Sequence, residues 1–339
     1  KGVISNERRI QVRMDDSVAR VIDGQPQMIR RSKGYAPVPL YVGTRRCFLC
    51  FNCQDYSLDH LGYGFKGNYK NCVKIMFIGE NIAPDFNLCD YALGFDFIQF
   101  DDRYMRLPLY CTYDSFTAIK DGNYLPEETL LGRKFCCMVV SNNRHSSPHR
   151  ERFFRLLSEY KQVDSGGRMW NNVGGPVADK LQFVSRYKFN IAFENSCVRG
   201  YTTEKIMEPM TVNTLPIYWG NPLVCRDFNA ASFVNVGDFA SMEDAVQHIV
   251  DLDNDDNKYL QMLRVPKIIE PKIKEWQENL LAFLSNIIEK PLEEAKYLTP
   301  YGIQKLYREE LKAYDILARR LKIKKIVAAY DKITKSFKR

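Results

Sequence analysis

The chain has 339 residues, 45% of them hydrophobic and 13% aromatic, with a formal net charge of +8 from 49 Lys+Arg against 41 Asp+Glu. This length fits two domains of ordinary size and excludes a mini-protein, and this much apolar material excludes disorder as the main state. The charge invites a nucleic-acid reading until it is located: residues 305–339 hold twelve Lys/Arg against four acids, while residues 1–304 hold 37 of each sign, so the excess belongs to a tail on a neutral body.

Residues 1–65 carry scattered charges, a turn signal at Ser32-Lys33-Gly34 and a short apolar run over Val38–Val42, and no opening strand is legible there. The polar start has no secretory apolar stretch and no Asn-x-Ser/Thr sequon occurs, so the ten cysteines are read as reduced thiols. Cys47-x-x-Cys50-x-x-Cys53 lacks a fourth ligand at usable spacing and reads as free thiols on a strand or loop. Gly62-x-Gly64-x-x-Gly67 matches the dinucleotide fingerprint by letter, but a polar segment precedes it and a strand follows, the reverse of what that chemistry needs.

Regular structure then begins. Val73–Ile78 is apolar apart from Lys74, as in a strand buried on both faces, and ends at Gly79-Glu80-Asn81. Residues 112–133, rich in Asp, Gly, Pro and Glu, read as a domain boundary. Residues 135–140 form a second apolar run, and Pro148 suits the first turn of a helix carrying Phe153, Phe154, Leu156, Leu157 and Tyr160 on one face. His145 and His149 are spaced for a metal on a helix, but Pro148 between them places the pair in a loop. Tyr187–Phe193, Leu215–Trp219 and residues 233–236 read as strands, and residues 202–210 and 241–252 as helices, the latter with Ser241 as N-cap. Strand, loop, helix, strand is the grammar of a parallel α/β sheet, whose ligands sit at the carboxyl ends of the strands. In the tail, Ile303, Tyr307, Leu311, Tyr314, Ala318 and Leu321 recur at helical spacing among lysines and arginines, the pattern of a basic amphipathic helix on an anionic membrane surface. The alternative is a helix packed on the body with a solvated charged face. No stretch approaches the ~18 apolar residues that a membrane span needs.

The densest chemistry lies between residues 187 and 222. A buried strand delivers Asn195 to a loop, Gly200 permits a tight turn, and Thr202 or Thr203 caps a helix whose first turn holds Glu204 and Lys205. A helix N-terminus beside a lysine suits a diphosphate, and ordinary capping explains the same residues. Read from the residues alone, both stand.

The strings Phe193-Glu194-Asn195, Gly200-Tyr-Thr-Thr-Glu-Lys-Ile206 and Pro216-Ile-Tyr-Trp-Gly-Asn-Pro222 resemble the donor-binding signature of the α-1,3/4-fucosyltransferases, glycosyltransferase family ten, in their bacterial form. Upstream, the segment from Phe77 through Gly79-Glu80-Asn81 to Asp96, and Asp102 to Pro108, resemble the acceptor side of the Helicobacter-type enzymes. The likeness runs from about Tyr69 to about Leu263. It implies a GT-B fold of two facing Rossmann-like domains with a basic helical tail: residues 1–133 for the acceptor, 134–290 for GDP-fucose, and 291–339 as the tail.

The resemblance further implies Glu80 as general base, Arg150 facing the donor diphosphate, and Asn195, Tyr201, Glu204 and Lys205 as donor-binding residues. Glu204 reaches the fucose in a catalytic role, and Lys205 the phosphates. No metal or other cofactor is required, because cations already stand where charge develops on GDP. The implied reaction is inverting transfer of L-fucose from GDP-β-L-fucose to a GlcNAc or glucose hydroxyl of a lactosamine- or lactose-type glycan. The linkage is α-1,3 or α-1,4, the product of Lewis-antigen type, and the acceptor an oligosaccharide or lipopolysaccharide O-antigen. A cytoplasmic enzyme peripheral on the inner membrane is the corresponding location. Two alternatives are a catalytically impaired GDP-sugar-binding relative, suggested by the unusual N-terminus, and a basic lipid- or nucleic-acid-binding protein. The neutral body argues against nucleic acid as a partner.

Overall fold

Apolar runs and capped amphipathic segments assemble into two units. The computed structural model describes residues 73–113, 119, 124–143, 146–268, 272–323 and 326–327, and the backbone of five strands within residues 10–52. One unit comprises Lys1–Leu93, Phe100–Met105 and Leu281–Arg339, and the other Gly94–Gln99 and Arg106–Leu280.

The first unit opens with an antiparallel meander of β1 (Ile10–Met14), β2 (Ser17–Ile22) and β3 (Gln25–Arg30). A five-stranded sheet follows in chain order: β4 (Val38–Val42), β5 (Arg45–Asn52), β6 (Val73–Ile78), β7 (Tyr91–Gly94) and β8 (Tyr104–Arg106). β5 lies parallel to β6 with Leu49 opposite Ile75, and β6 parallel to β7 with Ile75 opposite Tyr91. The opening strand that local reading does not find is therefore β5, which contains Cys47 and Cys50. It pairs antiparallel with its neighbour β4, Val42 opposite Arg45, and parallel with β6 across a longer connection. Cys53 and the Gly62–Gly67 run lie outside the described residues. Five of the six residues of β6 are buried, as its apolar run requires.

The second unit holds β9 (Lys134–Met138), β10 (Val163–Ser165), β11 (Tyr187–Phe193), β12 (Leu215–Trp219) and β13 (Val234–Asn235). All pairs are parallel, in the order β10-β9-β11-β12-β13. Its helices are α1 (Glu127–Leu131), α2 (His149–Tyr160), α3 (Lys180–Val184), α4 (Glu204–Thr211), α5 (Met242–Asp253) and α6 (Asp256–Arg264). Phe153 and Leu157 of α2, Ile249 of α5 and Tyr259 of α6 bury against Phe189, Ile191 and Ile217. Ile206, Met207 and Met210 of α4 join Tyr218, Phe228 and Phe233, and α3 packs on Cys137 and Tyr187. Each fully buried side chain of this size contributes ~1.5–3 kcal/mol.

Caps decide where the helices begin. Ser241 accepts from the Asp244 N–H, as its sequence position indicates. The helix expected from residue 202 starts at Glu204, because Thr203 is the cap and its side chain accepts from the Lys205 N–H. Pro148 sits one residue before α2 rather than inside its first turn.

The C-terminal helices are α7 (Lys272–Glu289), α8 (Leu292–Ala295) and α9 (Gly302–Arg320). In the first unit, the buried Asp90 carboxylate accepts from the Lys74 N–H at 2.7 Å and from the Tyr297 and Leu298 N–H groups at 2.8 and 2.9 Å. The Tyr307 hydroxyl of α9 donates to Asp85 at 2.9 Å, yet Ile303, Leu306, Tyr314, Leu317 and Leu321 are exposed. Residues 328–339 lie outside the described residues. Among the described residues, no helix is long and apolar enough to cross a membrane.

Candidate active site

In the second sheet, chain direction across the sheet reverses between β9 and β11, which is where a parallel α/β sheet opens a crevice at its carboxyl edge. The loop after β9 leads into α2 and delivers Arg150; the segment after β11 delivers Glu194 and Asn195 and then returns through Tyr201 to α4. Strand ends far apart in the chain thus supply one cluster.

Arg150 is only 3% exposed. Its Nη2 donates to the Phe193 carbonyl at 2.8 Å and to Asn195 Oδ1 at 2.9 Å, and its Nη1 to Ser146 Oγ at 2.8 Å. The Ser147 N–H donates to the Asn195 carbonyl at 2.8 Å, so α2 and the end of β11 are joined twice. Arg150 Nε has no hydrogen-bond partner among the described residues. A buried guanidinium with a spare donor is suited to an anion. Burial pulls the pKa of Arg150 down, but an arginine starts so high that it stays charged.

Glu194 is fully buried. It accepts from the Thr203 N–H at 2.7 Å and from the Thr203 hydroxyl at 2.8 Å, and its Oε2 stands 3.3 Å from the Lys205 ammonium. Lys205 also lies 3.5 Å from Glu204. Burial acts to lower the pKa of Lys205, but Glu194 and Glu204 outweigh it and raise it. Burial likewise acts to raise Glu204, and Lys205, Lys180 and its own helix N–H hold the carboxyl below its ordinary range. For Glu194 burial prevails over Lys205, and the carboxyl rises.

Tyr201 is 1% exposed, with its ring edge-on to Phe95 at 4.9 Å. The preceding Gly200 has φ +87°, and a Cβ there would fall 2.3 Å from the Phe95 carbonyl, so only glycine fits the turn. Asn221 ties the same loop down, accepting from the Gly200 N–H at 2.8 Å and donating to Thr202 at 2.9 Å. Arg106 adds a third hold, through Nε to the Phe95 carbonyl at 2.9 Å and a bidentate pair with Asp227 at 2.7 and 2.9 Å.

Of the expected site residues, the structure brings Arg150, Asn195, Tyr201, Glu204 and Lys205 into the second unit. Glu80 belongs to the first, half-buried two residues past the end of β6, with its carbonyl accepting from the Ile82 N–H at 2.8 Å. His149, expected in a loop, is the first residue of α2, and its ring stacks on Trp219 at 4.8 Å; His145 lies outside the described residues. Among the described residues, no group of three or more His, Cys, Asp or Glu could hold a metal ion. Glu194, Asn221, Arg106 and Asp227 escaped the sequence reading. For Glu194 and Asn221 a signal existed, a polar residue at the end of a buried strand. Arg106 stood inside the Asp102–Pro108 string with no role assigned, and for Asp227 no signal existed.

With this geometry in place, comparison with known proteins is informative. The profile of glycosyltransferase family 10 (fucosyltransferase) C-term matches residues 132–296, and that of the alpha-(1,3)-fucosyltransferase FucT N-terminal domain matches residues 51–113. The alpha-(1,3)-fucosyltransferase FucT of Helicobacter pylori is 36% identical over 262 residues, covering 66% of this chain and 54% of that protein. The chain thus spans about half the length of that relative. A crystal structure of an alpha1,3-fucosyltransferase is 34% identical with a TM-score of 0.62, covering 75% of this chain and 81% of its own. Another, with GDP-fucose, is 35% identical with a TM-score of 0.57, covering 66% and 77%.

Proposed function

This chain belongs to glycosyltransferase family 10, the fucosyltransferases, and on that premise we propose that it transfers L-fucose from GDP-β-L-fucose to a GlcNAc or glucose hydroxyl of a lactosamine- or lactose-type glycan, with inversion, forming an α-1,3 or α-1,4 linkage. The observation that carries this reading is the cation pair at the switch point of the second sheet: buried Arg150 with a spare Nε, and Lys205 at the start of α4. A spare guanidinium donor and a lysine at a helix start are the groups that a nucleoside diphosphate calls for.

The chemistry follows from those positions. The acceptor hydroxyl oxygen bonds to the fucose anomeric carbon as the bond from that carbon to the β-phosphate oxygen breaks. Its proton passes to the Glu80 carboxylate, and GDP departs with the electron pair. Arg150, Lys205 and the α4 N-terminus stabilise the growing negative charge, while Asn195 and Tyr201 hold the donor. Glu204, kept ionised beside Lys205, reaches the fucose. The cations take the electrostatic part that a divalent metal takes in other transferases, so none is required.

The test is GDP release with GDP-fucose and N-acetyllactosamine, followed by linkage analysis of the product. Release is expected to persist in EDTA. Complete loss in EDTA that manganese restores would overturn the metal-independent reading, and failure to release GDP with any lactosamine or lactose acceptor would overturn the activity.

The tail supports a location on the cytoplasmic face of a membrane. Exposed Ile303, Leu306, Tyr314 and Leu317 recur at helical intervals along α9, with exposed Leu321 just past its end, among the twelve cations of residues 305–339. The intact chain is expected to float with vesicles of anionic lipid, and a chain ending at Pro300 to float less. Equal flotation would discard this location.

A further inference from the structure

We propose that Glu194 is a positioning residue whose buried carboxylate holds the Lys205 ammonium toward the donor diphosphate; this rests on the donor reading above. Glu194 follows β11 immediately, and its carboxylate never reaches solvent. Space for it is reserved, because a Cβ on Gly220 would come within 2.5 Å of its Cγ. The Thr203 N–H and hydroxyl both reach Oε1, at 2.7 and 3.0 Å, and the hydroxyl also reaches Oε2 at 2.8 Å; the bonds to Oε1 ask only for an acceptor, which a glutamine amide supplies. Retaining an anion at a position closed to solvent is costly unless the charge is used. The cation it meets is Lys205, 3.3 Å away.

The groups facing Glu194 are Lys205 and Glu204 on α4, Arg150 on α2 and the Tyr218 hydroxyl on β12, with the Thr203 cap between them. Lys205 is the adjustable member of this set. A guanidinium stays charged in any protein environment, whereas a partly buried ammonium gives up its proton more readily once a counter-charge is withdrawn. Lys205 therefore depends on Glu194 for direction and, together with Glu204, for charge. A second carboxylate, Glu204, lies 3.5 Å from it and on the donor reading reaches the sugar, whereas Glu194 is closed in by Thr203 and Gly220.

The experiment measures the dissociation constant of GDP from about pH 7 to about pH 9.5 on the full chain. For the unmodified protein it is expected to be flat. In Glu194→Gln, affinity is expected to fall with rising pH, by up to about tenfold per unit, as Lys205 deprotonates. The double variant Glu194→Gln/Lys205→Arg should be flat again, since arginine does not titrate in that range. A merely structural role would weaken binding equally at every pH and in both variants, and that result, or a flat profile for Glu194→Gln, overturns the proposal. Should Glu194→Gln not fold, Glu194→Asp, which withdraws the carboxylate by one methylene, is expected to show a smaller slope of the same sign, and a flat profile there overturns the proposal too. Absence of GDP binding by the unmodified protein would overturn the donor reading and this inference with it, whereas binding with a flat variant overturns this inference alone.

Discussion

Replacement of Glu80 by alanine is expected to lower fucose transfer by about 10²- to 10⁴-fold, the usual contribution of one general base, while GDP binds nearly as before. The two expectations separate because Glu80 belongs to the first unit, whereas the hydrogen bonds and ion pairs described for Arg150, Asn195, Glu194 and Lys205 all lie within the second. Steady-state GDP release and equilibrium GDP binding on the same preparation measure both. A variant that transfers fucose within about tenfold of the unmodified rate would remove Glu80 from the role of base. Loss of GDP binding in parallel would show that the substitution acts through the fold.

Replacement of Asp227 by alanine should destabilise the second unit by about 3–5 kcal/mol, because it strands a buried guanidinium. The Arg106 side chain is 12% exposed and that of Asp227 2%, with 2.7 Å between them. Burial alone would lower the pKa of Arg106, and the hydrogen bonds and charge of Asp227 reverse that and raise it. The same guanidinium carries the Phe95 carbonyl at 2.9 Å and lies over the Phe97 ring, so loss of its partner also loosens the segment on which Tyr201 packs. Urea unfolding reports the stability, and the KM for GDP-fucose reports the loop. The double variant Arg106→Met/Asp227→Leu should recover most of the stability, since apolar pairs of similar size replace buried ion pairs at little cost, and still show a raised KM. A loss under about 1 kcal/mol for Asp227→Ala would mean that water reaches the pair.

What was legible in the sequence is whatever depends on neighbours within a turn or on a two-residue alternation. Val73–Ile78, Tyr187–Phe193 and Leu215–Trp219 announce themselves as strands because both faces are buried, and their apolar runs are continuous. Ser241 and the Thr203-Glu204-Lys205 start of α4 are visible because a cap and the turn it closes are adjacent in the chain. The strings around Asn195, Tyr201 and Lys205 are local in the same sense, which is why the family resemblance they carry is legible before any fold is known.

The tertiary structure alone decided which of these residues meet. β5 carries an apolar run, Cys47 to Phe51, but that it lies between the antiparallel β4 and the parallel β6 is settled only by the pairing of the sheet. Arg150 meets Asn195, and Arg106 meets Asp227 across 121 residues, because the order β10-β9-β11-β12-β13 and the turn at Gly200 bring those segments together. Glu194 shows the difference most plainly. As a letter it is one acid at the end of an apolar run; in the fold it is a fully buried carboxylate between a helix cap and the Lys205 ammonium. Short-range sterics and capping are encoded along the chain, but the electrostatic environment of a side chain depends on burial and on partners brought in by long-range packing, and these exist only once the chain has folded.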